Sequence, residues 1–135
     1  MSDERLITPS GTGATVPSIE WETRVVTLQE KDPNGIDQHA AGAKLDYGKI
    51  RPYLVQQGFI HALQEVWKDG SYGAKKYSDN GWKEVPDAKN RYMDAFARHY
   101  DKHLLGEKYD SESEVHHLGA CIWNLLAVLE LELTQ

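Results

Sequence analysis

The chain has 135 residues, a formal net charge of −6, 40% apolar and 27% charged residues, and one cysteine. That length suits one domain that needs no disulfide or structural metal to be stable, and the composition is that of an ordinary globular protein. The acidic balance excludes a general nucleic-acid binder, lone Cys121 excludes a disulfide framework or multi-cysteine zinc site, and the longest uninterrupted apolar run, residues 125–129, falls far short of a bilayer span.

No apolar core follows Met1-Ser-Asp-Glu-Arg, so no signal peptide is expected and a reducing cytoplasm is the expected home. Residues 1–41 read as an N-terminal arm, the first 18 rich in Ser, Thr, Gly and Pro. Residues 19–28 are β-branched and partly alternating, as in a single strand or an extended arm packed on a partner. Lys31-Asp-Pro-Asn-Gly is a turn by composition.

Residues 42–135 read as a helical domain. Pro52 suits a first helical turn, and Val55, Phe59, Leu63 and Val66 recur on one face. Asp69-Gly70 is the expected stop. Residues 73–81 are short, tyrosine-rich and basic, with a turn at Asn80-Gly81. A second helix is expected from Asp87 as N-cap, with a stripe of Met93, Phe96, Ala97, Tyr100 and Leu104 and with Gly106 in the left-handed position past its end. A third opens at Ser111-Glu-Ser-Glu114, a capping-box pattern, and runs to about residue 133. It carries two adjacent stripes, Val115, Leu118, Ile122, Leu125, Leu126 and Leu129 beside Ala120, Cys121, Ala127, Val128 and Leu131. Such a helix belongs between other helices or in a subunit interface. The expected class is mainly α: a small bundle of three main helices plus the extended arm, completed by self-association.

Charge is unevenly spread, with residues 42–76 carrying six bases and three acids and residues 101–135 two bases and seven acids. This could set phosphate-binding cations opposite carboxylates that hold a divalent metal, or reflect a patchy solvated surface. His117 and Asn124 lie nearly two turns apart on one side of the third helix. They read either as contacts to a base, a ribose or a metal-bound water, or as an internal hydrogen-bond network. Asp94 and Arg98, beside Arg91, are an i, i+4 pair, or an active-site carboxylate held by arginines that also attract phosphate. His99 and His103 share the same spacing, without a third zinc ligand of clear spacing. Glu107, Asp110, Glu112 and Glu114 crowd one helix junction, where carboxylates are favourable in any case and where two or three could bind Mg²⁺. Lys44, Lys49, Arg51, Lys75 and Lys76 are the candidate phosphate contacts. Phosphate-loop, zinc-protease, nucleophile-elbow and EF-hand signatures are absent.

Gly42-Ala-Lys-Leu-Asp-Tyr-Gly-Lys-Ile-Arg51, Tyr72-Gly-Ala-Lys-Lys-Tyr77 with Trp82, Arg91-Tyr-Met-Asp-Ala95, Arg98-His99, Gly106-Glu107, Asp110-Ser-Glu-Ser113, His117-Leu118 and Trp123-Asn124 occur in one order. Over about residues 42–131 the chain resembles the phage and prophage family named after the N-terminal domain of dATP/dGTP diphosphohydrolase. The resemblance implies a fold similar to the MazG-like all-α nucleotide pyrophosphohydrolases, which use Mg²⁺ or Mn²⁺ to cut a nucleoside triphosphate into monophosphate and pyrophosphate and work as dimers or tetramers. In phages with diaminopurine in their DNA, such an enzyme makes the dGMP that feeds base modification. The chain departs from that pattern. Ala120 stands where relatives have a second histidine, and the helical E-x-x-E and E-x-x-D of MazG proteins are missing, so their metal ligands are not carried over.

The expected function is metal-dependent hydrolysis of purine deoxynucleoside triphosphates. Arg98, Asp94 and His117 are the catalytic candidates, with Arg98 supplying electrostatic stabilisation. Lys44, Lys49, Arg51, Lys75, Lys76, Tyr77, His99 and Asn124 are the substrate-binding candidates. Glu107, Asp110 and Glu112 are the ligands for Mg²⁺ or Mn²⁺, with Asp94 a further one. The expected partners are the nucleotide and further copies of the chain, not nucleic acid or membrane. Two rivals are a protein that sequesters a nucleotide without cleaving it and a structural, partner-binding protein.

Overall fold

The computed structural model describes residues 30–135. The expected strand or arm at residues 19–28 lies outside them. Contacts divide the chain into two compact units that meet at the Pro52–Tyr53 bond.

In the first unit the expected turn forms at Asp32. Its buried carboxylate accepts the backbone N–H groups of Asn34 at 2.7 Å, Ile36 at 3.4 Å and Lys44 at 2.9 Å. The Lys44 N–H, the largest influence, holds this carboxyl below its ordinary value.

The described residues form four α-helices and no strand. They are α1 (Pro52–Gly58), α2 (Ile60–Lys76), α3 (Ala88–Leu104) and α4 (His117–Thr134), with a 3₁₀ turn at Gly81–Glu84. Pro52 opens α1 as expected. The helix then bends at Phe59, whose φ of −121° and ψ of 30° interrupt it while hydrogen bonds continue from Phe59 N to Val55 O and from Leu63 N to Phe59 O. Asp69-Gly70 does not stop α2, which runs one and a half turns further. Gly70 is kept for closeness rather than for a turn: a Cβ there would stand 2.8 Å from Trp123 Nε1. Lys75 and Lys76 fill the last turn, where cations suit the helix dipole.

α3 starts where expected, but Asp87 does not cap it. Its φ is 55° and its carboxylate accepts from Asn90 Nδ2 instead. Gly106, at φ 97°, ends it as expected, with Gly106 N donating to His103 O and Glu107 N to Lys102 O. The capping box at Ser111–Glu114 does not form. That tetrapeptide turns back on itself, with Glu114 at φ 61°, and α4 begins at His117 with His116 as its N-cap.

α4 is the centre of the second unit. It runs parallel to α2, with Gly119 over Glu65 and Gly70 under Trp123. It runs antiparallel to α3, with His117 on His99, Cys121 Sγ near Phe96 O and Glu132 on Lys89. Its small-residue stripe, Ala120, Cys121, Ala127 and Leu131, is buried. The larger stripe is not: Leu118, Ile122, Leu125, Leu126 and Leu129 are 38–54% exposed. Helices approach closely only through small side chains, which explains the choice. The expected stripe of α3 likewise faces outward at Met93, Tyr100 and Leu104, while Ala88 is buried and His99 half-buried. By length and composition α4 is also apolar enough to cross a membrane, although its longest uninterrupted apolar run is short. Its packed face carries buried His117 and Asn124.

Candidate metal centre

The loop between α3 and α4 folds against the first turn of α4. Asp110 N donates to Val115 O and His117 N to Lys108 O, and Val115 plugs the loop at 1% exposure. Asp110 organises it: Oδ2 accepts from Glu112 N, Ser113 N and Ser113 Oγ at 2.8–3.1 Å. Burial pushes this carboxyl up, but those hydrogen bonds outweigh it and hold it below its ordinary value. Asp110 is therefore a carboxylate with Oδ1 left over.

Two imidazoles lie beside this carboxylate. One ligand atom each from His99, Asp110 and His117 converge within 4.8 Å of one another. His117 is fully buried. Its Nε2 lies 3.0 Å from Glu107 Oε2 and its Nδ1 lies 2.8 Å from His99 Nδ1. A carboxylate can only accept, so Nε2 carries the proton and Nδ1 presents its lone pair. This is the arrangement in which a carboxylate behind a histidine sets its tautomer for a metal. Two nitrogens bound side by side to one ion at about 2.0–2.1 Å each stand about 3 Å apart, close to the spacing seen. Burial, and then the nearness of His117, push His99 below its ordinary value, which keeps it in the neutral, ligating form. The donors thus fit a divalent ion, and an ion would take the place of the proton between the rings.

Of the ligands expected at this centre, Asp110 is among the converging groups, whereas Glu107 is not and stands behind His117. His99 also reaches it, partnered by His117 rather than by His103, which lies by Tyr100 and His116. Glu112 does not reach it. Its carboxylate takes the Tyr72 hydroxyl and, at 3.0 Å, the Lys76 ammonium, so Lys76 is paired rather than waiting for phosphate. Asp94 stands about 140° around α3 from His99. It is exposed, and no ion pair joins it to Arg98 among the described residues. Arg98 is exposed but near enough for its charge to act on His99. Asn124 is buried and donates to Ala120 O at 2.8 Å, the internal bond that was one of its two readings. Lys75 and Tyr77 are exposed, as are Lys44, Lys49 and Arg51 in the first unit.

Two acids of α2 escaped the sequence reading. Glu65 Oε1 accepts from His116 N at 2.9 Å. Asp69, one turn on, is half-buried and has no side-chain hydrogen bond among the described residues. Burial, aided by the charge of Asp110, pushes its carboxyl up to about 6. Only the i, i+4 spacing of these acids was visible in advance.

Residues 39–135 match the family model described as dATP/dGTP diphosphohydrolase, N-terminal. The chain belongs to that family. No curated protein and no solved structure matches it. The dATP/dGTP diphosphohydrolase match spans both halves of the candidate centre, from His99 on α3 to His117 on α4.

Proposed function

We propose that this chain is a metal-dependent diphosphohydrolase that cleaves dATP or dGTP to the monophosphate and pyrophosphate. The family's name supplies the substrate class. The observation that carries the metal dependence is the convergence of His99, Asp110 and His117, with Glu107 setting the tautomer of His117. A bound divalent ion would supply positive charge against the phosphate oxygens and an acidified water. Two imidazoles beside one carboxylate favour Mn²⁺ or another transition ion over Mg²⁺, which prefers oxygen ligands. Arg98 and Lys75, both exposed, are assigned to neutralise the polyphosphate. The exposed stripe of α4 is assigned to a second copy of the chain, and the cytoplasm is the assigned compartment, where free nucleotides are found.

The test is incubation of metal-stripped protein with each common NTP and dNTP plus Mn²⁺, Mg²⁺, Co²⁺ or Zn²⁺, with products separated by ion exchange. Monophosphate and pyrophosphate from dATP or dGTP, lost in His117→Ala and Asp110→Asn, is the expected result. Nucleotide recovered unchanged with every ion overturns the reading and leaves sequestration in its place.

A further inference from the structure

We propose that Asp69 is the general base of this centre, taking the proton of the water that attacks the phosphoric anhydride. The inference rests on the hydrolase reading above and adds a residue that reading does not use.

Position is the first ground. One face of α2 grips the loop that carries Asp110. Glu65 holds His116 N at 2.9 Å, and Tyr72 and Lys76 hold Glu112. Asp69 lies between them on the same face, one turn from Glu65 and from Tyr72 and two from Lys76. It is close enough to Asp110 for the two charges to repel, and its charge reaches Cys121, one turn beyond His117 on α4. Yet it stands outside the group whose ligand atoms lie within 4.8 Å of one another. A carboxylate beside the ligands, but not among them, is free to act on a water rather than on the ion.

Availability is the second. The other acids here are committed: Glu107 to His117, Asp110 to Ser113 and Glu112, Glu65 to His116 and Lys68, and Glu112 to Tyr72 and Lys76. Apart from exposed Glu114, Asp69 alone among these acids has no side-chain hydrogen-bond or ion-pair partner among the described residues. A half-buried carboxyl without a partner costs stability, and the raised proton affinity that burial gives it suits a base working near neutral pH. In the step, a water proton passes to Asp69 and the water oxygen bonds to phosphorus. The bond from that phosphorus to the oxygen bridging the α and β phosphates breaks, the electron pair leaves on that oxygen with the departing pyrophosphate or nucleoside monophosphate, and Asp69 then returns its proton to solvent.

The experiment compares Asp69→Asn and Asp69→Ala with the unaltered full-length protein by turnover, Co²⁺ absorbance titration and thermal melting. The expected result is a kcat lower by about 100-fold or more, with KM and Co²⁺ affinity within about threefold and a melting temperature no lower than the parent's. Formate, as a replacement base, should restore turnover to Asp69→Ala and not to Asp69→Asn. Three results would overturn the inference: Asp69→Asn turning over at the parental rate, loss of Co²⁺ binding or of folding in both variants, or no rescue by formate. A parent without turnover on any metal would overturn the hydrolase reading and this one together, whereas an active parent with an unaffected Asp69→Asn variant overturns this one alone.

Discussion

His117 is held at both ring nitrogens in a fully buried position, so its orientation is fixed before any ligand arrives. Glu107 is the cause, and Glu107→Ala should weaken Co²⁺ binding by about 10–100-fold, with Glu107→Gln in between because an amide oxygen can still accept; an absorbance titration checks this. At Asp69 the sign of a pH effect follows from burial. Its carboxyl rises from an ordinary 3.8 to about 6 in the folded protein. The folded state then binds more protons than the unfolded state, so this group lowers stability as pH rises from about 4 to about 6, and the cost persists above. Asp69→Asn should therefore gain about 1–2 kcal/mol at pH 7, discounted for partial exposure, and little at pH 4, measured by urea unfolding at both. Glu107, Asp110 and His117 were legible because polar groups stood out at a helix junction and on an apolar helix. Asp69 was not, because an Asp-Gly pair reads as a helix end until a partner helix explains the glycine. The pairing of His99 with His117 joins residues 18 apart across two helices, which no local spacing reveals.

Packing between elements depends on two glycines. A Cβ at Gly119 would stand 2.6 Å from Glu65 Cβ and 3.1 Å from its carbonyl carbon, so α2 and α4 would have to separate. Gly119→Ala should cost about 1–3 kcal/mol in chemical unfolding, although alanine is the better helix former. The helices themselves were legible from apolar periodicity, Pro52, and Gly106 at the end of α3. The start of α4 was not. Ser111 and Glu114 have the spacing of a capping box, but the Asp110 side chain takes the N–H groups of Glu112 and Ser113 and folds the segment into a turn. A stronger acceptor one residue upstream won.

At the scale of the molecule, the amount of apolar surface was legible and its direction was not. Both stripes of α4 are apolar, and only the packing of α2 and α3 on the small-residue side settles which is covered within the chain. The uncovered leucines call for a partner. Light scattering should give a dimer or larger assembly, and Ile122→Asp combined with Leu126→Asp, one turn apart on that stripe, should give a folded monomer. The first unit contributes its own order through Asp32, which was legible as a turn but not as a buried carboxylate gathering three backbone donors.

The N-terminus of α4 has a kinetic consequence. Helix ends ordinarily fray because their first N–H groups have no partner. Here His116 N is held by Glu65, His117 N by Lys108 O and Leu118 N by the His116 ring. In deuterated water these three amides should be among the last in the helix to exchange, while those near Thr134 trade their protons first. The helix therefore opens from its far end, and the end that carries the histidine is the last to let go.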